Sequence, residues 1–270
     1  ILFDFRHYSF REQIYLPRLL HKYKADLIHF PHFNVPIFFR GKFIVTIHDM
    51  LMHQYRGLES STLTPPLYLA KRVAYNVVFN HAVKNSSKII VPSNYIKQEL
   101  LRSYKIPQDK VKVSYEGING IYVNEINNDE ILKKYKIDGP YFIYVGNAYP
   151  HKNLKQAIDA IIHLNKKLIQ KALLVIASSR DVFVKRLELS VNDLKAGKFV
   201  RLLGFVPDKD LLGLYKNSEA FLFPSLSEGF GLTGLEAMAS GTLVLASDIP
   251  VFREIYKNQA IYFNPLDFSS

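Results

Sequence analysis

Cysteine is absent from the 270 residues, which excludes disulfides, thiolate metal sites and cysteine nucleophiles. Long hydrophobic runs are absent too, and none approaches the roughly 18–20 residues that a membrane-spanning helix needs. The opening ILFDFRHYSFREQ lacks the basic-then-apolar order of a signal peptide. No run of five like charges occurs, no segment repeats at a period of roughly 20–50 residues, and no low-complexity tract is present. What is present is 48% hydrophobic residues, enough for substantial cores and two domains of ordinary size, with a cytoplasmic setting as the expectation.

Positive charge is plentiful but uneven. Of the formal +11, residues 1–120 contribute +9, from 17 Lys and Arg against 8 Asp and Glu, and residues 121–270 contribute +2. A basic first half suits peripheral contact with an anionic membrane face or a phosphorylated acceptor, or is plain solvated surface. No motif that reads nucleic acid accompanies it, so nucleic acid is not an expected partner.

Short apolar segments alternate with amphipathic ones, the pattern of an α/β protein built on parallel sheets. In the first half ADLIHF, KFIVTIHD, SKIIVPS and KVKVSYEG read as strands, with helices over about residues 64–85 and in YIKQELLRSY after Ser93. In the second half PYFIYVGN, ALLVIAS, KFVRLLGFV, AFLFPS and TLVLASD read as strands, and AIDAIIHLNKKL, DLLGLYKNS and TGLEAMAS as helices. The polar VNEINNDEILKKYKIDGP lies between them. The expected organisation is a domain over residues 1–122, a linker over 123–139 and a second domain over 140–270.

Ligands of open parallel sheets sit beyond the carboxyl ends of the strands, so residues that follow strands are the candidates. In AFLFPSLSEGFGLTGLEAMASG, Glu228 and Glu236 flank a glycine-rich turn. Glycine has no Cβ to hold a ligand off, so the N–H groups of Gly229, Phe230, Gly231, Leu232 and Thr233 can close on a phosphate. A carboxylate repels phosphate and is better used accepting hydrogen bonds from sugar hydroxyls, which together describes a nucleotide-sugar site. The bland alternatives are a Thr233–Glu236 capping box and an exposed surface acid at Glu228.

Three further places carry chemistry. In VGNAYPHKN, Gly146 and Asn147 turn the chain after a strand, and Lys152 could reach a diphosphate as a point charge or simply be solvated. His48, after KFIVTI, could hydrogen-bond a sugar or phosphate oxygen or be a satisfied structural histidine. Gly204, Phe205 and Val206 could line a flat base, although a phenylalanine such as Phe205 is more often simply core. His29 and His32 share an HxxH spacing, but Pro31 disfavours a helix presenting both to one metal, so no metal is expected. A rival reading takes GFGLTG as a dinucleotide-binding GxGxxG, with Asp248 as the ribose acid of an NAD-dependent oxidoreductase. Against it, PSLSE intervenes between strand and first glycine, and the unit comes last in its domain.

With these motifs assembled, the chain resembles the retaining glycosyltransferases of family 4. The carrying residues are Glu228 and Glu236 as the family's E-x7-E within PSLSEGFGLTGLEAMASG, together with VGNAYPHKN, RLLGFVP, LLGLYKNSEAFLFPS, TIHDM and IIVPSNYIKQEL. REQIYLPRLL followed by HFPHFNVP is similar to bacterial enzymes, many called mannosyltransferases, of O-antigen and other surface-polysaccharide synthesis. The resemblance implies a GT-B fold of two Rossmann-like domains facing a cleft. It implies a nucleoside-diphosphate sugar as co-substrate, a glycan or lipid-linked acceptor, no metal and no further cofactor. By the same resemblance Glu236 holds the nucleotide ribose, Glu228 the donor-sugar hydroxyls and Lys152 the diphosphate. The N–H groups of Phe230 to Thr233 cradle the phosphate, and His48 approaches the sugar from the opposite domain. Asn147 stands where the family often has Arg, and Thr233 where Pro is common. Relative to the family, the first domain is expected to lack its leading strand or strands and the second its closing helices. A nucleotide-sugar epimerase and a binding-only module remain the alternatives of the same architecture.

Overall fold

A computed structural model describes residues 9–55, 57, 61, 63–118, 120, 128–179 and 181–267. The chain divides into two compact units, Ile1–Tyr115 and Glu116–Ser270.

The first unit runs α1 (Phe10–Lys22), β1 (Ile28–Phe30), β2 (Phe43–Thr46), α2 (Leu51–Gln54), α3 (Pro65–Asn85), β3 (Lys88–Val91), α4 (Asn94–Ser103) and β4 (Val111–Val113). Its strands are all parallel in the order β1-β2-β3-β4. Val45, Ile47, Ile89 and Val91 point from the sheet into a core that Phe79, Ala82 and Val83 of α3 and Leu100 of α4 close. Ser93 starts α4 by accepting the Ile96 N–H at 3.2 Å, the local reason for a helix there. Helix α1 escapes an apolar-periodicity reading because Pro17 stands inside it and its buried side is polar. Glu12 and Gln13 on that side accept hydrogen bonds from the Asn34 amide (2.8 Å) and the Ile37 N–H (2.7 Å), tying down the β1–β2 connection.

The second unit runs α5 (Asn128–Tyr135), β5 (Tyr141–Val145), α6 (Leu154–Lys167), β6 (Leu173–Ala177), α7 (Val182–Asp193), β7 (Val200–Gly204), α8 (Asp208–Lys216), β8 (Ala220–Phe223), α9 (Leu232–Ala239), β9 (Val244–Ser247), α10 (Pro250–Tyr256) and β10 (Ile261–Phe263). The strands YFIYV, LLVIA, AFLF and VLAS are near-continuous apolar runs, as parallel strands buried on both faces require. Helix α6 buries Leu154, Ala157, Ile158 and Ile161, one helical stripe, against them.

Residues 123–127 of the expected linker lie outside the described residues, but its remainder carries α5. That helix docks on α8: Lys134 Nζ and the Tyr135 hydroxyl both donate to Asp210, at 2.5 and 2.7 Å. Gly213 permits the approach, since a Cβ there would lie 3.0 Å from Ile131.

The sheet order β10-β9-β8-β5-β6-β7 locates the site. From β5 the chain steps outward to β6 and β7, then returns to lay β8 on the other flank of β5. The β5 and β8 carboxyl ends therefore diverge at a topological switch point, where open α/β sheets form their ligand crevice.

Candidate functional site

Two loops leave that switch point. After β5, Gly146 turns the chain at φ +146°, and a Cβ on it would meet the Tyr144 hydroxyl at 2.9 Å. On that side of the turn the glycine makes room for the protein's own tyrosine. Buried Tyr144 donates to the Asn147 carbonyl at 2.7 Å, and Asn147 itself is exposed. A single 3-10 turn, Pro150–Lys152, follows. Asn153 ends it at φ +57°, its side-chain amide donating to the Pro265 carbonyl at 2.7 Å. The His151 carbonyl accepts the Leu226 N–H at 2.8 Å, which stitches this turn to the loop after β8.

That stitch brings Lys152 and Glu228 together. Their Nζ–Oε1 distance is 2.5 Å, with side chains only 13% and 11% exposed. Glu228 is therefore not an exposed surface acid, nor Lys152 a solvated one. An ion pair this deep loses much solvation and persists only with good geometry, so the two residues form one unit. The ammonium also stands 6.0 Å from the centre of the Phe223 ring. An ammonium carries three donors, and the contact with Glu228 uses one of them.

The loop from Ser225 to Gly231 is almost wholly buried and ends at the amino terminus of α9. The capping-box reading of Thr233 and Glu236 is corrected here. Gly231, at φ +99°, is the N-cap, so Thr233 lies already inside the first turn with no cap bond to give. Only glycine tolerates that backbone without strain, which is why the helix starts two residues earlier than the Thr signal suggests. Tyr256 of α10 fixes it from below by donating to the Gly231 carbonyl at 2.5 Å. Cβ atoms on Gly231 and Gly234 would lie 2.3 and 2.4 Å from the Tyr256 hydroxyl, so these glycines too make room for a tyrosine. The first-turn N–H groups of Leu232 and Thr233 have no intrahelical acceptor and remain available to a ligand.

Electrostatics follow from this packing. Burial, with the Glu228 charge second, holds the Tyr144 hydroxyl well above its ordinary pKa. The Tyr256 hydroxyl is raised by burial, then by Glu228, Tyr262 and Glu236, so both carboxylates bear on one tyrosine. Burial and then the Lys152 charge push His151 down to about 4, which keeps it neutral beside the ammonium at pH 7.

The structure thus brings together Gly146, Asn147, Lys152, Glu228, Gly229, Phe230, Gly231, Leu232, Thr233 and Glu236 around one switch point of the second unit. Val206, at the end of β7, is buried, whereas Phe205 is 74% exposed, which corrects its reading as core. Asp248 is gripped by Arg253 through two bonds of 2.7 and 2.8 Å, which occupies the carboxylate that a dinucleotide ribose would need. His48 belongs to the first unit, exposed, its Nε2 donating to the Pro31 carbonyl at 3.0 Å. His29 meets the Thr46 hydroxyl at 2.8 Å and His32 accepts the Asn34 N–H at 3.2 Å, so the HxxH pair serves local hydrogen bonds. Sequence reasoning missed Tyr144, His151, Phe223 and Tyr256, which hold the loops. Tyr144, His151 and Phe223 lie in or beside the quoted motifs; Tyr256 lies on a separate helix and gives no local signal.

A model described as "Glycosyl transferases group 1" matches residues 127–264, and one described as "Glycosyltransferase Family 4" matches residues 1–119. The O-antigen chain mannosyltransferase RfbU of Salmonella typhimurium is 32% identical over 227 residues, covering 84% of this chain and 58% of its own length. O-antigen chain mannosyltransferase B of Escherichia coli is 28% identical, covering 92% of this chain and 64% of its own. The chain therefore spans about three-fifths of the curated relatives it matches. Among solved structures, Anabaena HepE in complex with UDP and glucose superposes with a TM-score of 0.74 at 17% identity, over 97% of this chain and 71% of that one. At such identity the likeness is one of fold, and the fold is GT-B.

Proposed function

The chain belongs to the group 1 and family 4 glycosyltransferases, and from that premise we propose that it transfers a hexosyl unit, mannose in the first instance, from a nucleoside diphosphate to a glycan or lipid-linked acceptor with retention at the anomeric carbon. The observation that carries this reading is the buried Lys152–Glu228 pair at the switch point, beside the amino end of α9. Mannose is suggested by the names of the relatives, and a nucleoside diphosphate by the UDP in the HepE complex.

In this reading the diphosphate lies on the first-turn N–H groups of α9 and on the two donors Lys152 has to spare. The C1–O bond to the β-phosphate breaks and the acceptor oxygen bonds C1 on the same face. The acceptor proton passes to the departing phosphate oxygen. Negative charge grows on that phosphate as the bond breaks, so the ammonium and the helix end stabilise the transition state more than the ground state. Glu228 orients Lys152 and accepts hydrogen bonds from the sugar; Glu236 accepts them from the ribose. Gly146, Asn147 and the Val206 backbone line the donor site, and His48 of the first unit is proposed as catalytic through the family resemblance alone.

Charge supplied in this way needs no metal or added cofactor. The proposed setting is the cytoplasmic face of a membrane, reached through the basic first half, where Leu69, Val73 and Val77 form an exposed stripe on α3. Nucleic acid has no part in it.

The test is incubation with GDP-mannose and a lipid-linked acceptor, with NMR of the product's anomeric proton. An α-linked product from the α-linked donor, formed equally in EDTA, is expected. An inverted product, or loss in EDTA with recovery in Mn²⁺, contradicts the scheme. Isomerised donor without any acceptor makes the protein an epimerase.

A further inference from the structure

We propose that the groove enclosed by α2, α3 and α4 in the first unit is a separate binding site for a neutral saccharide. The groove holds about 500 Å³ and is lined by Met50, His53, Gln54, Asn76, Asn80, Glu99, Ser103 and Tyr104. That volume is within the usual range of small-ligand pockets, roughly 300–1,000 Å³. No residue proposed for the donor site contributes to the groove's lining.

The walls are regular. Asn76 and Asn80 stand one turn apart on α3, and Glu99 and Ser103 one turn apart on α4, so each helix presents two polar groups side by side. Among the described residues, the side chains of Asn76, Asn80 and Ser103 make no hydrogen bond within the protein. The floor, by contrast, is locked. His53 is held between the Tyr75 hydroxyl at 2.8 Å and the Tyr104 hydroxyl at 2.9 Å, and Tyr104 stacks on Phe79 at 5.7 Å. Gln54 reaches the Tyr95 hydroxyl at 3.2 Å and Arg102 meets Glu99 at 2.8 Å. Above this rigid aromatic floor stand the exposed Asn76 and Ser103 and the half-buried Asn80, whose side chains are open to a ligand from solvent.

The lining also selects the ligand. Among the described residues the lining contains no lysine or arginine, and Arg102 at its edge is engaged by the Glu99 carboxylate, so a phosphate or other anion is poorly served despite the basic character of this half. Met50 is its only aliphatic side chain, too little for a lipid tail or an apolar helix. Carboxamides, a carboxylate and a hydroxyl, which donate and accept in pairs, match the vicinal hydroxyls of a sugar ring, and the Tyr104 and His53 rings can lie under its apolar face. This assignment does not rest on the donor-site reading.

Saturation-transfer NMR and calorimetry with an α-linked mannobiose decide it. The wild-type chain is expected to bind the disaccharide, and Asn80→Leu and Ser103→Tyr, both at the groove surface, to weaken binding at least about tenfold, a loss of about 1.4 kcal/mol. Binding of GDP or UDP should be unchanged in both variants, with far-UV circular dichroism confirming that they fold. No response of the wild-type chain, equal affinity in both variants, or displacement of the mannobiose by nucleoside diphosphate overturns the proposal.

Discussion

At the scale of single residues, Lys152 and Glu228 stand or fall together. Removing the ammonium leaves a carboxylate buried without its counter-charge, which typically costs about 3–5 kcal/mol. Lys152→Ala should therefore lower the urea midpoint of unfolding as well as slow transfer. Lys152→Met combined with Glu228→Leu should recover most of the stability while transfer stays lost. If Lys152→Ala unfolds at the wild-type midpoint, the pair does not carry the structural role assigned to it. His151 offers a second residue-scale test. Its folded pKa is about 4 against an ordinary 6.5, so the folded state resists protonation. The stability it contributes is complete above pH 6.5 and is lost as the pH falls toward 4, by up to roughly 3 kcal/mol. His151→Gln should flatten that part of the stability profile measured by denaturant titration; an unaltered slope would show that another group produces it.

At the scale of elements, the amino terminus of α9 depends on α10. Gly231→Ala introduces strain at φ +99° and a collision with Tyr256, and is expected to cost about 1–3 kcal/mol from the backbone alone. Tyr256→Phe keeps the ring and removes one buried hydrogen bond, about 1 kcal/mol, but frees the Gly231 carbonyl and should weaken nucleotide binding. Thermal melts with and without GDP separate the two effects, and a Tyr256→Phe variant that binds GDP as the wild type does would contradict the buttress.

The same elements show what could be read without a structure. Continuous apolar runs such as YFIYV and LLVIA announce buried parallel strands, and the spacing of Leu154, Ile158 and Ile161 announces α6. Helix α7 was harder: β-branched Val182, Val184 and Val191 blur its period, and only Asp181, accepting from the Phe183 and Val184 N–H groups at 2.9 Å, marks its start. Helix α10 and strand β10 are too short to show a period at all. Around the switch point, Glu228 and Lys152 stand out in the sequence as an acid and a lysine in the loops after strands, and Glu236 as an acid in the first turns of the helix that follows. The contact between Lys152 and Glu228 was not legible, because 76 residues separate the two and only the β5–β8 adjacency joins them. Gly146 and Gly231 were legible as positions that need room, but the tyrosines packed beside them were not.

At the scale of the whole molecule, the charge asymmetry predicts binding to vesicles containing phosphatidylserine that falls as salt rises, because exposed charges are screened over about 8–10 Å near physiological ionic strength. Co-sedimentation with neutral vesicles at equal strength would remove charge from the explanation. The donor site is the larger claim, and calorimetric titration of GDP and UDP into the wild-type chain and into Glu236→Ala tests it most directly. The wild type should bind at least one of the two, with affinity at least about tenfold weaker in the variant, or about 1.4 kcal/mol. No heat from either nucleotide, or identical affinity in both proteins, would contradict the account.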